Sequence, residues 1–90
     1  MTEFKTSKCI IKLISPTIVE NKIIDGCDID LIDLTEIRNI NLKLTNGKPY
    51  VVLLDAGEYT SITTEAREVS ATVNFSKNLI KRILIESSKN

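Results

Sequence analysis

The sequence predicts a single small α/β domain with the element order ββαβα, and three observations carry that reading. Val51, Val52, Leu53 and Leu54 form a continuous apolar run, too short for a helix and bounded by Gly47, Pro49 and Gly57, as in a strand covered on both faces. Short β-branched segments precede it, and stretches with helical apolar spacing flank it. The length of 90 residues fits one domain, residues 1–90, with no composition shift, repeat or low-complexity stretch to divide it. A chain of this size buries only about 60 to 65 per cent of its unfolded surface, so a partner subunit would widen a thin stability margin.

Lys8 to Ile14 is short, β-branched and stopped by Ser15-Pro16; Thr17 to Ile24 has a similar composition, and together they predict an opening hairpin. Asp25-Gly26 is a turn signal. Asp33, followed three positions later by Glu36, forms a capping-box pattern that predicts a first helix over 33–46. Leu34, Ile37, Ile40, Asn41 and Leu44 lie close to one helical face, and Asn46-Gly47 supplies a left-handed stop. The central strand follows at Val51 to Asp55. Asp55 to Ile62 then has loop chemistry, and Thr63 or Thr64 can cap a second helix with Glu65 in its first turn and Ala66, Val69 and Val73 directed inward. Beyond Thr72 to Ser76, a run of weak helix formers, periodicity leaves two alternatives: a continued helix through Ile80 and Leu84, or a last strand at 82–87.

Twelve basic and twelve acidic residues give zero formal charge, which lacks the electrostatic footprint of a nucleic-acid or anionic-membrane binder. A hydrophobic content of 42 per cent, mostly Ile, Leu and Val, belongs to a globular rather than a disordered chain. Neither an export signal nor a membrane-length apolar run is visible, so the expected compartment is cytoplasmic. Cys9 and Cys27 are too far apart for a redox pair, and without histidine they cannot complete an ordinary zinc site. They read as small buried hydrophobes, with a disulfide between them left open, and no cofactor or metal is expected. Asp25, Asp28, Asp30 and Asp33 alternate like calcium ligands, but Ile32 falls on a ligand position and Glu36 is too close to close the loop. A solvated loop and a helix cap account for them better.

The segments DLTEIRNINLKLTNGK and VVLLDAGEYTSITTEAREVSA resemble uncharacterised bacterial proteins related to the STAS domain, the fold of anti-sigma-factor antagonists. The likeness runs from about Val19 to Ser87, and is most specific at Gly47-Lys48-Pro49-Tyr50 and Thr63-Thr64-Glu65-Ala66-Arg67. It implies a small mixed sheet with helices packed against it, and favours the strand reading at 82–87. It also implies a further helix, strand and helix after Asn90, so the domain is expected to be incomplete or naturally short. In the antagonists an Asp-Ser pair at the start of the helix after the central strand carries a regulatory phosphoserine. That pair falls on Thr63-Thr64, with the Asp replaced by Thr63 and the usual Ser-Gly that follows replaced by Glu65-Ala66.

Polar residues gather at the carboxyl end of the central strand, where ligands and partners usually meet open α/β sheets. Thr63, Thr64 and Arg67 are the leading site residues, because a phosphate on either hydroxyl would sit at a helix start with a guanidinium one turn along. Asp55 and Glu58 belong to the same surface, although nothing beside them in sequence gives them a proton-transfer role. The expected function is that of a non-catalytic cytosolic interaction or regulatory module, engaging a protein partner through 55–67. A homodimer is expected, and the alternatives in function are a self-associating structural domain without regulatory phosphorylation and a small enzyme subunit.

Overall fold

The computed structural model describes residues 2–85. Five strands form one mixed sheet in the order β1-β2-β3-β5-β7: β1 Glu3–Lys5, β2 Cys9–Ser15, β3 Ile18–Ile23, β5 Tyr50–Ala56 and β7 Leu79–Ile85. The first three are antiparallel, and β5 and β7 join in parallel through crossovers carrying α1 Leu31–Leu44 and α2 Thr64–Ser70. A two-residue parallel ladder, β4 Asp28–Ile29 with β6 Ser61–Ile62, stands apart from the main sheet. The α/β class, the β2-β3 hairpin about Ser15-Pro16 and a strand after α2 agree with the sequence. That strand begins at Leu79; Glu86 and Ser87 of the expected 82–87 lie outside the described residues.

The first helix begins earlier than the expected 33–46. Its N-cap is Asp30, whose carboxylate accepts from the Asp33 N–H at 2.8 Å, while the Asp33 carboxylate accepts from the Asp30 N–H at 3.1 Å. Asp33 is therefore the third residue of the capping box rather than its cap, and Glu36 is exposed. A long-range contact selects this register: Lys8, just before β2, donates to the Asp33 carboxylate at 2.7 Å and to the Asp28 carbonyl at 2.8 Å. Burial pushes the Asp33 carboxyl up, but the Lys8 and Asp30 hydrogen bonds outweigh it and hold the group below its usual value. The helix stops as expected, with Asn46 and Gly47 both at positive φ and the Gly47 N–H donating to the Leu42 carbonyl at 2.9 Å.

One face of the sheet carries the core. Cys9 and Ile11 of β2, Val19 and Ile23 of β3, and Tyr50 and Val52 of β5 are buried beneath Ile37 of α1. Asn21 and Asn41 interrupt this apolar layer, each 4% exposed; their amides bond reciprocally at 2.9 and 3.0 Å and join β3 to α1. Burial and this exchange account together for the polar residue in the α1 stripe, since an unpaired amide there would be costly. Cys9 and Cys27 are free thiols, Cys9 buried and pushed up to about 12 by desolvation, Cys27 half-buried.

The alternate residues of β5 correct one expectation: Val51 and Leu53 are only half-buried, because no described helix lies over their face. There Lys12 stands opposite Glu20, and Lys22 opposite Asp55, so the face mixes charge with apolar surface. Val73 is a second correction, being 83% exposed because α2 ends at Ser70. At and after the end of α2 the Ser70, Thr72 and Ser76 hydroxyls donate to the carbonyls of Arg67, Val69 and Thr72, competing for acceptors that a continuing helix would use.

Candidate functional site

The carboxyl ends of β3 and β5 lead into two loops that are fastened to each other. The Gly57 N–H donates to the Ile23 carbonyl at 3.2 Å, and the Gly26 N–H to the Glu58 carbonyl at 2.8 Å. The Glu58 N–H donates to the Asp25 carboxylate at 2.9 Å, and the Ser61 hydroxyl to that of Asp28. A Cβ at Gly57 would lie 2.3 Å from Asp25 Oδ1 and 2.6 Å from the Ile23 carbonyl oxygen, so only glycine permits this approach. The β4-β6 ladder and the Thr63 N–H, donating to the Ile29 carbonyl at 3.0 Å, extend the fastening to the start of α2.

The structure brings the expected site residues to this end of the sheet but gives them different surroundings. Thr63 is the N-cap, its hydroxyl oxygen accepting from the Ala66 N–H at 3.1 Å. Thr64 is exposed in the first turn, and Arg67 is exposed one turn on. Among the described residues no hydrogen bond or ion pair joins the Arg67 side chain to either threonine. Asp55 is half-buried, between Lys22 and Ile85 in the register of β3 and β7, and Glu58 is exposed on the loop. Neither carboxylate adjoins a described cluster of metal-ligating side chains.

Sequence reasoning passed over Tyr59. It lies at the tip of the fastened loop, 89% exposed, with φ 59. A bulky side chain in the left-handed region persists only where its surroundings impose it. The neighbouring hydrogen bonds do so, the Thr60 hydroxyl adding a bond to the Gly57 carbonyl at 3.0 Å.

A cavity of about 330 Å³ lies beneath this loop, between α1, the core face of β3 and β5, and the turn after α2. Phe75 closes one side: the Arg38 guanidinium stands over its ring at 4.4 Å and donates to its carbonyl at 3.4 Å. Ile37, Val52 and Leu54 supply apolar wall, and Asn21, Asn41, Tyr50, Arg38 and Arg82 supply polar atoms. Burial raises the Tyr50 hydroxyl pKa against the lowering influence of Asn41, Arg82 and Arg38. Only Asn41 gave a signal in sequence, as the one polar residue of the α1 stripe.

No family model matches the chain, and neither a curated protein nor a solved structure matches it significantly. Among the described residues, no helix is long and apolar enough to cross a membrane.

Proposed function

We propose that this chain is a non-catalytic cytosolic interaction module of STAS-like type, which meets a protein partner through the loop and helix start at 55–67. The observation that supports this most is Tyr59, an almost fully exposed aromatic held in left-handed backbone by a loop that is otherwise tied down. A loop fixed before binding presents an exposed aromatic ring with little further loss of backbone freedom, as suits an interface anchor. Thr64 and Arg67 follow it in the helix start as exposed polar groups, and a phosphate on Thr64 would add charge to the 55–67 segment. The STAS-like resemblance supports the same end of the sheet as the working end.

The test is site-specific photo-cross-linking in native cells, with the label at position 59 and, as a control, at the exposed Lys48, which precedes β5 at its opposite end. A discrete adduct is expected from 59 and not from 48. The interaction reading fails if 59 gives no adduct or both positions give the same ones. Phosphate regulation is tested separately: absence of modification at Thr63 and Thr64 by mass spectrometry, with adducts unchanged in Thr64→Glu, removes it.

A second reading, self-association, is supported by β7. This strand of seven residues is a sheet edge among the described residues, and Ile80, Ile83 and Leu84 are 65%, 41% and 64% exposed. Two copies paired along this edge about a twofold axis would cover backbone groups and apolar side chains together. Sedimentation across a dilution series should show a dimer that Ile83→Lys dissociates; a monomer at every concentration rejects it.

A further inference from the structure

We propose that the cavity beneath the 57–62 loop binds a small amphipathic monoanion, a carboxylate on an apolar body with about ten non-hydrogen atoms in all. The size follows from the volume: at about 30 Å³ for each water-sized group, 330 Å³ holds roughly eleven. The apolar body follows from the wall, where Ile37, Val52, Leu54 and Phe75 meet from α1, β5 and the turn after α2. Solvent alone is a poor occupant for such a surface, and concave apolar sites with a few convergent polar groups are where small ligands bind.

The negative charge follows from the two guanidiniums. Arg38 comes from α1 and Arg82 from β7, and no described residue lining the cavity is acidic. The ion pair found among the described residues joins Lys8 to Asp33, so no described carboxylate pairs with either arginine. Local charge at the cavity is therefore positive in a chain whose formal net charge is zero. Both arginines line the cavity with Tyr50, and Arg38 is held at its Phe75 side. A planar guanidinium matches a carboxylate through paired N–H donors, and a ligand entering apolar end first would leave its head at this side. An alcohol of the same length would leave the arginines without a charged partner, and an alkylammonium would be repelled. Ala56, Thr60, Ser61 and Ile62 of the 55–67 segment line the cavity, whereas Tyr59, Thr63, Thr64 and Arg67 do not, so the ligand site and the protein-contact surface share a segment but use different side chains of it.

The experiment is a proton-nitrogen NMR titration of the full chain with octanoate, octan-1-ol and octylammonium. Octanoate should give saturable shifts at the amides of Asn41, Tyr50 and Val52, with octan-1-ol and octylammonium at least about tenfold weaker, the worth of one charge-assisted hydrogen bond. Arg82→Gln, on an exposed edge strand where the fold tolerates substitution, should weaken octanoate about tenfold and leave octan-1-ol unchanged. The proposal is overturned if no ligand gives saturable shifts at these amides or if octanoate binds no better than either competitor. It is equally overturned if Arg82→Gln leaves octanoate affinity intact, or weakens octanoate and octan-1-ol alike.

Discussion

Replacing Gly57 by alanine should dismantle the loop without touching the core. The added methyl would meet Asp25 Oδ1 at 2.3 Å and the Ile23 carbonyl oxygen at 2.6 Å. A carboxylate can swing away, but the carbonyl belongs to β3 and cannot, so Asp25→Ala is expected not to rescue the variant. Moving the loop outward loses the Gly57 bond to Ile23 and the Glu58 bond to Asp25, at about 1 kcal/mol each, and strains the Gly26 bond to Glu58. The expected loss is about 2 to 4 kcal/mol, a large part of the roughly 5 to 14 kcal/mol that a chain of this length possesses. In melting temperature that is roughly 10 to 30 °C. Gly26→Ala is the control: nothing lies within 4 Å of its Cβ position, and its φ of 78 alone sets a cost of about 1 kcal/mol. Urea unfolding of the three variants measures this directly. A Gly57→Ala protein no less stable than Gly26→Ala would refute the close-approach argument. Cross-linking from position 59 should also disappear in Gly57→Ala at temperatures where circular dichroism still reports a folded domain.

Three further outcomes are expected. Asp30→Ala should lower stability by about 0.5 to 2 kcal/mol, and Glu36→Ala by a few tenths; the reverse order in denaturant midpoints would return the helix start to Asp33. Asn21→Leu and Asn41→Leu should each cost about 2 to 3 kcal/mol by stranding the other amide, while the double variant should recover more than 2 kcal/mol of their sum in a thermodynamic cycle; simple additivity would show the pair to be uncoupled. Because the Asp33 pKa is lowered in the fold, its contribution is complete above the ordinary value of 3.8 and is lost as pH falls through the folded value. The stability gap between the native chain and Lys8→Met should accordingly narrow below about pH 4, and a gap that is constant from pH 7 to pH 2 would exclude the ion pair as its source.

The legible parts of this fold were those decided locally. Ser15-Pro16 marks the hairpin, Val51 to Leu54 marks the central strand, and Thr63 ahead of Glu65 marks the start of α2; each depends on residues within a few positions. The start of α1 was not local. Asp33 with Glu36 is the better box in sequence, and Lys8, 25 positions from Asp33, favours Asp30 with Asp33 instead. β4 and β6 have two residues each, too few for a period of two to show. Among site residues, Thr63 was legible as a cap and Asn41 as an anomaly. Tyr59 was not, because its significance lies in a backbone dihedral that the contacts of Asp25, Gly26 and Gly57 impose. The cavity was invisible for a related reason: Arg38, Phe75 and Arg82 come from three segments that only the tertiary fold places together.

The strand order imposes a timetable on the growing polypeptide. β1, β2 and β3 are neighbours in sequence as well as in the sheet, so the first quarter of the chain can assemble its hairpins as it leaves the ribosome. β5 is different. It must wait for α1 to be made and then lie alongside β3, pairing Val19 with Val52 across the whole crossover. Until then Tyr50 to Leu54 is a bare apolar ribbon beside an unfinished edge, the condition in which nascent chains adhere to one another. The Asn21–Asn41 exchange guards this interval, since α1 can satisfy both amides only when docked at one place on β3, leaving a defined lane for β5. Pulse-labelling hydrogen exchange should show β2 and β3 protected first, α1 next and β5 after it; simultaneous protection of β5 and the opening hairpin would contradict this order.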